Sequence, residues 1–325
     1  MKSASVLLLS IALVAAPFAS AAAPTAKTPR IGYVRSGNVS NDPYRESFVR
    51  GMRELGWVAD RNIAFEFRYY GEDAGAIGSV MNDLLRAKVD VIVAGGTAAI
   101  RAAQAATSKV PIVMGAAADP LASGIIKSLA RPGGNITGLS LLSAELTAKR
   151  LELLKEIMPS ASRIAILKNP DNPAHSVIVK EIEPAARALG LALRIFEARR
   201  LDDFNPAFAA MRAWPSEAVI ALDDAAFISM RVGLAAVAMH QQLPLVCGFR
   251  EMAEAGCPLS YAVSLPDMYY RAAAYVDKIL KGANPGDLPV EQGSKFQLVV
   301  NLKTAKAIGL AIPEAFLLRA DEVIE

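Results

Sequence analysis

VDVIVAGGTAAIRAAQAATSKVPIVMGAAADPLASGIIKSLARPGGNITGLSLL, residues Val89–Leu142, decides the fold. Val89–Ala94 is a β-branched, apolar run that ends at Gly95-Gly96. Thr97 follows as a helix cap, and the first free N–H groups of that helix point out of the strand edge. Val110–Met114 repeats the pattern and ends at Gly115; Asp119-Pro120 then sets cap and first helical residue in the favoured order for another helix. Gly133-Gly134 reads as the C-cap and turn of that helix. Continuous apolar strands alternating with amphipathic helices describe a parallel sheet covered on both faces. Ligands of such sheets sit outside the carboxyl ends of the strands. Gly96, Thr97, Ala117 and Asp119 fall there.

Upstream, Arg30–Val34 reads as a strand, Ser36-Gly37-Asn38 as a turn, and Asp42-Pro43 as the start of a helix whose apolar face is Tyr44, Phe48, Met52 and Leu55. Ile63–Tyr69 alternates as a strand, and a helix follows over Ala76–Ala87. Residues 30–142 thus form one complete doubly wound lobe. Downstream the pattern restarts. Helix Leu146–Ile157, strand Arg163–Leu167, the turn-rich loop Asn169–Pro173, helix Ile178–Leu189 and strand Leu191–Phe196 open a second lobe, residues 143–262. It continues through helix Phe204–Arg212, strand Ala218–Leu222 ending in Asp223-Asp224, helix Phe227–Met239 and strands Leu245–Cys247 and Leu259–Ala262. The expected fold class is therefore α/β, two doubly wound parallel-sheet lobes with a ligand cleft between them. Residues 263–325 hold a long amphipathic helix, Asp267–Lys281, and a tail shared between the lobes.

The N-terminus reads as a secretory signal peptide, residues 1–23: Lys2, the apolar core Val6–Ala16 and the small-residue cleavage site Ala19-Ser20-Ala21. The apolar run is too short to span a bilayer, and no cysteine near the cleavage site supports a lipid anchor. A periplasmic location follows. The net charge of +3 is spread without a basic block, which argues against nucleic acid as a partner. Cys247 and Cys257 are placed either to pair in an oxidising compartment or to stay free. His175 and His240 lack metal-ligand spacing and read as surface or cap residues. No nucleophile elbow, phosphate-binding loop or dinucleotide fingerprint is present, so no cofactor or metal is expected.

Several blocks resemble a known family. RIGYV (Arg30–Val34), GMRELGWVADRNI (Gly51–Ile63), KVDVIVAGGTAAIRAAQAAT (Lys88–Thr107), VPIVMGAAADPLASGIIKSLARPGGNITGLS (Val110–Ser140), REMAEAG (Arg250–Gly256) and LKGANPGDLPVEQGSKFQLVVNLKTAKAIGL (Leu280–Leu310) are similar to the substrate-binding proteins of ABC importers with the type I periplasmic-binding fold, in the branch of tryptophan-binding proteins. The resemblance implies ligand capture between two lobes, hinge closure and no bond made or broken. It also implies a monomer that meets an inner-membrane permease. The chain departs from the family after AEAG: Cys257-Pro258 and Ser260-Tyr261-Ala262 stand where a second glycine and Ser-Tyr-Gly are usual.

A cleft for a small carboxylate, an amino acid or an aromatic acid needs donors for the carboxylate and acceptors for any ammonium. Gly96-Thr97 reads as an anion seat or a plain cap, and Asp119 as an ammonium acceptor or a cap. Ser36 and Asn41 lie in the first strand-to-helix loop, and Asn169 occupies the matching loop of the second lobe. Of Asp223 and Asp224 one caps the next helix; Asp223 is read as the one facing the cleft. Arg250 is placed to grip a carboxylate or to neutralise Asp223. Tyr261 reads as an aromatic wall or a packing residue. The same two-lobed architecture serves ligand-sensing modules of membrane receptors. An exported α/β enzyme would need a nucleophile, base or metal cluster that the sequence does not display.

Overall fold

The computed structural model describes residues 28–325. The signal-peptide reading lies outside them. The first sheet begins with β1 (Arg30–Arg35), followed by α1 (Arg45–Glu54), β2 (Ala64–Tyr69), α2 (Ile77–Arg86), β3 (Val91–Gly95), α3 (Thr97–Ala106), β4 (Ile112–Ala118) and β5 (Ile136–Leu141). The chain then enters a second unit through α4 (Ser143–Ile157), β6 (Arg163–Lys168), α5 (Ala174–Ala188), β7 (Ala192–Glu197), α6 (Phe204–Ala213) and β8 (Ala218–Ala221). It continues with α7 (Ala225–Ser229), α8 (Arg231–His240), β9 (Leu245–Cys247), α9 (Arg250–Glu254) and β10 (Leu259–Val263). The last stretch comprises α10 (Leu265–Leu280), β11 (Glu291–Gln292), β12 (Phe296–Asn301), α11 (Leu302–Ala307), α12 (Glu314–Leu317) and β13 (Glu322–Ile324).

Two sheets result, in the orders β11-β5-β4-β3-β1-β2 and β13-β12-β10-β9-β8-β6-β7. Every pairing is parallel except that of β10 with β12. The chain passes between the sheets after β5, after β10 and after β11. The C-terminal tail, unassignable from pattern, is thus divided. α10 and β11 belong with the first sheet, β12 and β13 with the second.

Both lobes are α/β layers because their strands are apolar on both faces. In the first, Ile92, Ala94 and Met114 pack toward Met81, Leu84 and Ile100 of α2 and α3. Tyr33, Val93 and Val113 pack on the opposite face, toward Phe48 and Met52 of α1 and Ala273 and Val276 of α10. α1 and α10 approach closely because Gly51 has no side chain: a Cβ there would lie 2.6 Å from the Tyr270 carbonyl oxygen. In the second lobe Ile164, Ile166 and Ile220 meet α4 and α5, while Leu167, Val219 and Ala221 meet α6 and α8.

Three expectations are corrected, and the alternatives left open for the two cysteines are resolved. The helix expected to open at Asp119-Pro120 is a single turn: Ser123 N–H bonds Asp119 O, and Ile125 N–H bonds Pro120 O. Asp119 has φ 38° and Gly124 φ 69°, so the backbone turns left-handed where a helix would have to propagate. Gly133 and Gly134 therefore cap no helix. They make a turn against which Gly286 packs. Cys247 and Cys257 are free, buried thiols, the latter donating to the Leu245 carbonyl at 2.9 Å. Burial first, then the neighbouring Cys257, pushes the Cys247 thiol up. His175 is not a surface residue but fully buried, whereas His240 is exposed at the end of α8.

Candidate ligand site

A cavity lies where the carboxyl ends of the two sheets face each other. The first lobe contributes Arg35 from the end of β1, Gly95, Gly96 and Thr97 between β3 and α3, and Ala116 and Ala118 from β4. The second contributes Asn172 after β6, Asp223, Asp224 and Ala225 after β8, and Phe249 after β9. Leu141 at the end of β5, Ile228 of α7, and Leu265 and Tyr269 of α10 complete the lining. The cavity spans about 390 Å³ of space around its lining atoms, part of it open to solvent, but only about 30 Å³ admits the centre of a water molecule. That suffices for one or two waters, so an amino acid needs the lobes to part or the lining to shift. The lobes touch at the rim. Ser36 Oγ lies 3.2 Å from Ser229 Oγ, and a Cβ on Gly96 would lie 2.7 Å from the Ala225 Cβ.

On the first-lobe side Arg35 is the central charge. It is 3% exposed, and its Nη1 donates to Asp42 Oδ1 at 3.2 Å. Its guanidinium lies over the Tyr44 ring, 4.4 Å from the centroid. Tyr44 stacks on Tyr269 at 5.2 Å and 11°. The Tyr269 ring fits only because Gly95 and Gly115 are glycines: a Cβ at either would lie 2.2 Å from its hydroxyl or 2.6 Å from its Cε1. Burial raises the Tyr269 phenol to about 12, so it stays protonated. The Arg35 Nε–H has no hydrogen-bond partner.

On the second-lobe side a buried ion pair organises the loops. Arg150 Nη2 lies 2.9 Å from Asp223 Oδ1 and 3.0 Å from Oδ2, with both side chains essentially inaccessible. Oδ1 counts as paired by distance although no well-angled hydrogen bond reaches it. Arg150 Nε also donates to the Tyr261 carbonyl at 2.8 Å. Gly248 leaves room for the pair, since a Cβ there would lie 2.1 Å from Asp223 Oδ1. Asp224 is held differently. Its carboxylate accepts from Ala226 N–H at 2.9 Å, capping α7, and from the side-chain amides of Asn169 and Asn172 at 3.2 and 2.8 Å. Beneath these loops His175 Nδ1 accepts from the Asn169 N–H at 3.0 Å, and Nε2 faces the Asp223 carbonyl. Arg35 is thus balanced by Asp42 and Arg150 by Asp223. Asp224 has no arginine or lysine within 4 Å among the described residues, and the ring Nε2 of His175 stands 3.9 Å away. Of the carboxylates that line the cavity, Asp224 alone lacks an arginine partner.

The residues singled out in the sequence are dispersed around this cavity. Gly96 and Thr97 line it. Gly96 rather than Thr97 occupies the cap position of α3, and the Thr97 hydroxyl accepts from Ala118 N–H. Ala117 is buried between its two lining neighbours. Ser36 sits at the rim and donates to the Gly71 carbonyl. Asn41 ends a short 3-10 turn, and its side chain lies outside the described residues. Asn169 stands behind Asp224. Asp223 lines the cavity with its charge already met by Arg150, and Asp224 both caps a helix and lines the cavity, so the two aspartates do not divide these tasks. Asp119 caps no helix of its own. Its Oδ2 accepts from Ala144 N–H, across the crossover from β5 to α4. Burial, then the nearby Glu145, pushes its carboxyl up to about 7. Arg250 lies away from the cavity, clamped by Glu322 and Glu254. The Tyr261 ring stacks on Phe296, as cross-strand neighbours do. Arg35, Arg150, Asn172, Phe249 and Tyr269 were missed. Arg35 had a local signal, a charged residue closing an apolar strand at its carboxyl end, and Asn172 stood in the same turn-rich loop as Asn169.

Two α/β lobes sharing a charged cavity at the carboxyl ends of their strands define a two-lobed ligand-binding protein of the periplasmic-binding-protein-like type I fold. A family model described as ABC transporter substrate binding protein matches residues 38–324, and the chain belongs to that family. A tyrosine-binding protein of Clostridioides difficile (strain R20291) is 25% identical over 272 residues, 83% of this chain and 78% of that one. A crystal structure of an ABC domain in complex with L-Trp from Streptococcus pneumonia superposes with a TM-score of 0.84 at 25% identity, covering 91% of this chain and all of that one. A conserved domain protein from Vibrio cholerae O1 biovar eltor superposes with a TM-score of 0.85 at 28% identity over the same shares. Among the described residues no helix is long and apolar enough to cross a membrane.

Proposed function

We propose that this protein captures a free amino acid between its lobes, outside the cytoplasmic membrane, and delivers it to the permease of an ABC importer. The observation that carries this reading is the cavity between the two sheets with the Asp224 carboxylate left without an arginine or lysine partner. A buried charge of that kind calls for a positive ligand group. The relatives that bind tyrosine and tryptophan support an amino acid, and the aromatic and aliphatic lining from Phe249, Leu265 and Tyr269 suits an apolar side chain. The cavity is too tight to admit such a ligand unchanged, which supports opening of the lobes for entry and closure after it.

The test is a thermal-shift screen of the twenty amino acids against sugars. A ligand present at a hundredfold excess over Kd stabilises by about 2.7 kcal/mol, a readily measured shift. We expect one or a few amino acids to raise the melting temperature, with the bound compound recovered unaltered. A sugar winning the screen with no amino acid active, or turnover of the bound compound, would refute the reading.

A further inference from the structure

We infer that the cleft sorts the two charges of its ligand between its lobes: Arg35 and the start of α3 take the carboxylate in the first lobe, and Asp224 takes the ammonium in the second. The inference rests on the amino-acid reading and deepens it. It assigns the charged ends, and with them the class of molecule that can hold the lobes together.

The first-lobe seat stands on two independent observations. Arg35 is almost wholly buried, lines the cavity, and leaves its Nε–H without a partner while Nη1 is occupied by Asp42. Buried donors are almost always satisfied, and a guanidinium edge is shaped for a carboxylate. Beside it, α3 is ten residues long and begins at the cavity wall. Its first N–H groups have no partners within the helix, and its dipole favours an anion there. Gly96, at φ 89°, adds no side chain between that helix end and the cleft. None of the first-lobe residues that line the cavity is acidic.

The second-lobe seat is the complement. Asp224 receives three hydrogen bonds, two on Oδ1 and one on Oδ2. A carboxylate has roughly four acceptor positions, so Oδ2 keeps one for a ligand donor. Asp223, its neighbour, cannot share the task on equal terms: its Oδ1 accepts no well-angled hydrogen bond, but the Arg150 guanidinium within 3.0 Å of both oxygens already meets its charge. A zwitterion therefore meets one charge in each lobe and ties them together. An amine lacking the carboxylate, or an acid lacking the ammonium, engages one lobe and leaves the other charge unmet. The cleft is then a filter for intact amino acids against their decarboxylated and deaminated derivatives, even where the side chain fits.

The test is titration calorimetry on the full mature chain with three matched probes: L-tyrosine, tyramine and 3-(4-hydroxyphenyl)propanoate. The L-tryptophan series runs in parallel, and L-leucine, isopentylamine and 4-methylpentanoate are added where the melting screen favours an aliphatic residue. The wild type should bind the amino acid at least a hundredfold tighter than either single-charge analogue. Arg35→Lys keeps the charge facing Asp42 but removes the Nε–H; it should weaken the amino acid at least tenfold and leave the amine unchanged. Asp224→Asn should weaken the amino acid at least tenfold and leave the acid unchanged. Because the readout is a ratio between ligands, a general loss of structure in one variant moves all three together and does not mimic the result. Binding of the amine or the acid within threefold of the amino acid refutes the inference alone. So do variants that weaken all three ligands equally. Failure of every amino acid, with a neutral ligand bound instead, refutes the functional reading itself.

Discussion

Replacing Arg150 by methionine should unfold the second lobe at a markedly lower temperature. The substitution keeps chain length and apolar volume but removes the guanidinium whose Nη2 reaches both oxygens of Asp223 and whose Nε serves the Tyr261 carbonyl. Breaking a fully buried ion pair on one side costs about 3–5 kcal/mol, because the remaining charge stays buried. An orphaned buried carbonyl costs about 1–3 kcal/mol. The two share one guanidinium and do not simply add, so a loss of about 4 kcal/mol is expected. For domains of 150–250 residues each kcal/mol moves the melting point by about 2–4 °C, which gives a fall of about 8–16 °C. Calorimetry on the unliganded protein measures it. The double variant Arg150→Met/Asp223→Leu leaves no charge behind and should recover most of the loss, since apolar replacement of a whole buried pair is often neutral. A single variant melting within about 2 °C of wild type, or a double variant no more stable than the single, would refute the view that this pair organises the cavity loops.

Two further outcomes follow from the cleft and its crossover. Gly96→Ala places a side chain at φ 89° and 2.7 Å from the Ala225 Cβ across the cleft. The backbone strain alone costs about 1–3 kcal/mol, and amino-acid affinity should fall at least tenfold. Adding Ala225→Gly should restore affinity by calorimetric titration but not the melting point; no rescue of affinity would mean that the lobes need not meet there. Asp119 gives a pH dependence. Its folded value of about 7 lies above the ordinary carboxyl range near 3.9, so the neutral form favours the fold. That contribution is complete below about pH 4 and is lost as the pH rises through 7. Asp119→Asn should therefore shrink the stability difference between pH 5 and pH 8 in urea melts; an equal difference in both proteins would count against the assignment.

What could be read from the sequence was local. Val91–Gly95 and Ile112–Ala118 announce themselves because a strand buried on both faces needs an unbroken apolar run between glycine turns. Gly96 and Thr97 were placed at the cleft by the rule that loops after parallel strands face the ligand. The rule could not rank the residues within those loops. Asp223 and Asp224 are adjacent, and their difference is made by Arg150, 73 positions from Asp223 on a helix with no mark to distinguish it from an ordinary amphipathic arginine. Arg250 looked like the cleft cation because it follows a strand end, yet Glu322, 72 positions on, holds it at the surface. The false helix after Asp119 arose because Asp119-Pro120 stands in the favoured order of cap and first helical residue, while the positive φ of Asp119 and Gly124 that stops it has no sequence pattern of its own.

Tyr269, wedged between Gly95 and Gly115, has a bearing on how the chain acquires its structure. The first lobe's sheet and one of its covering helices are completed by α10 and β11, which lie beyond the whole of the second lobe in sequence. The second lobe likewise waits for β12 and β13 at the very end. Neither lobe can close its core from an N-terminal fragment, and such long-range pairings slow folding. A chain emerging from a ribosome or a translocation pore must therefore remain unfinished until nearly its last residues are out.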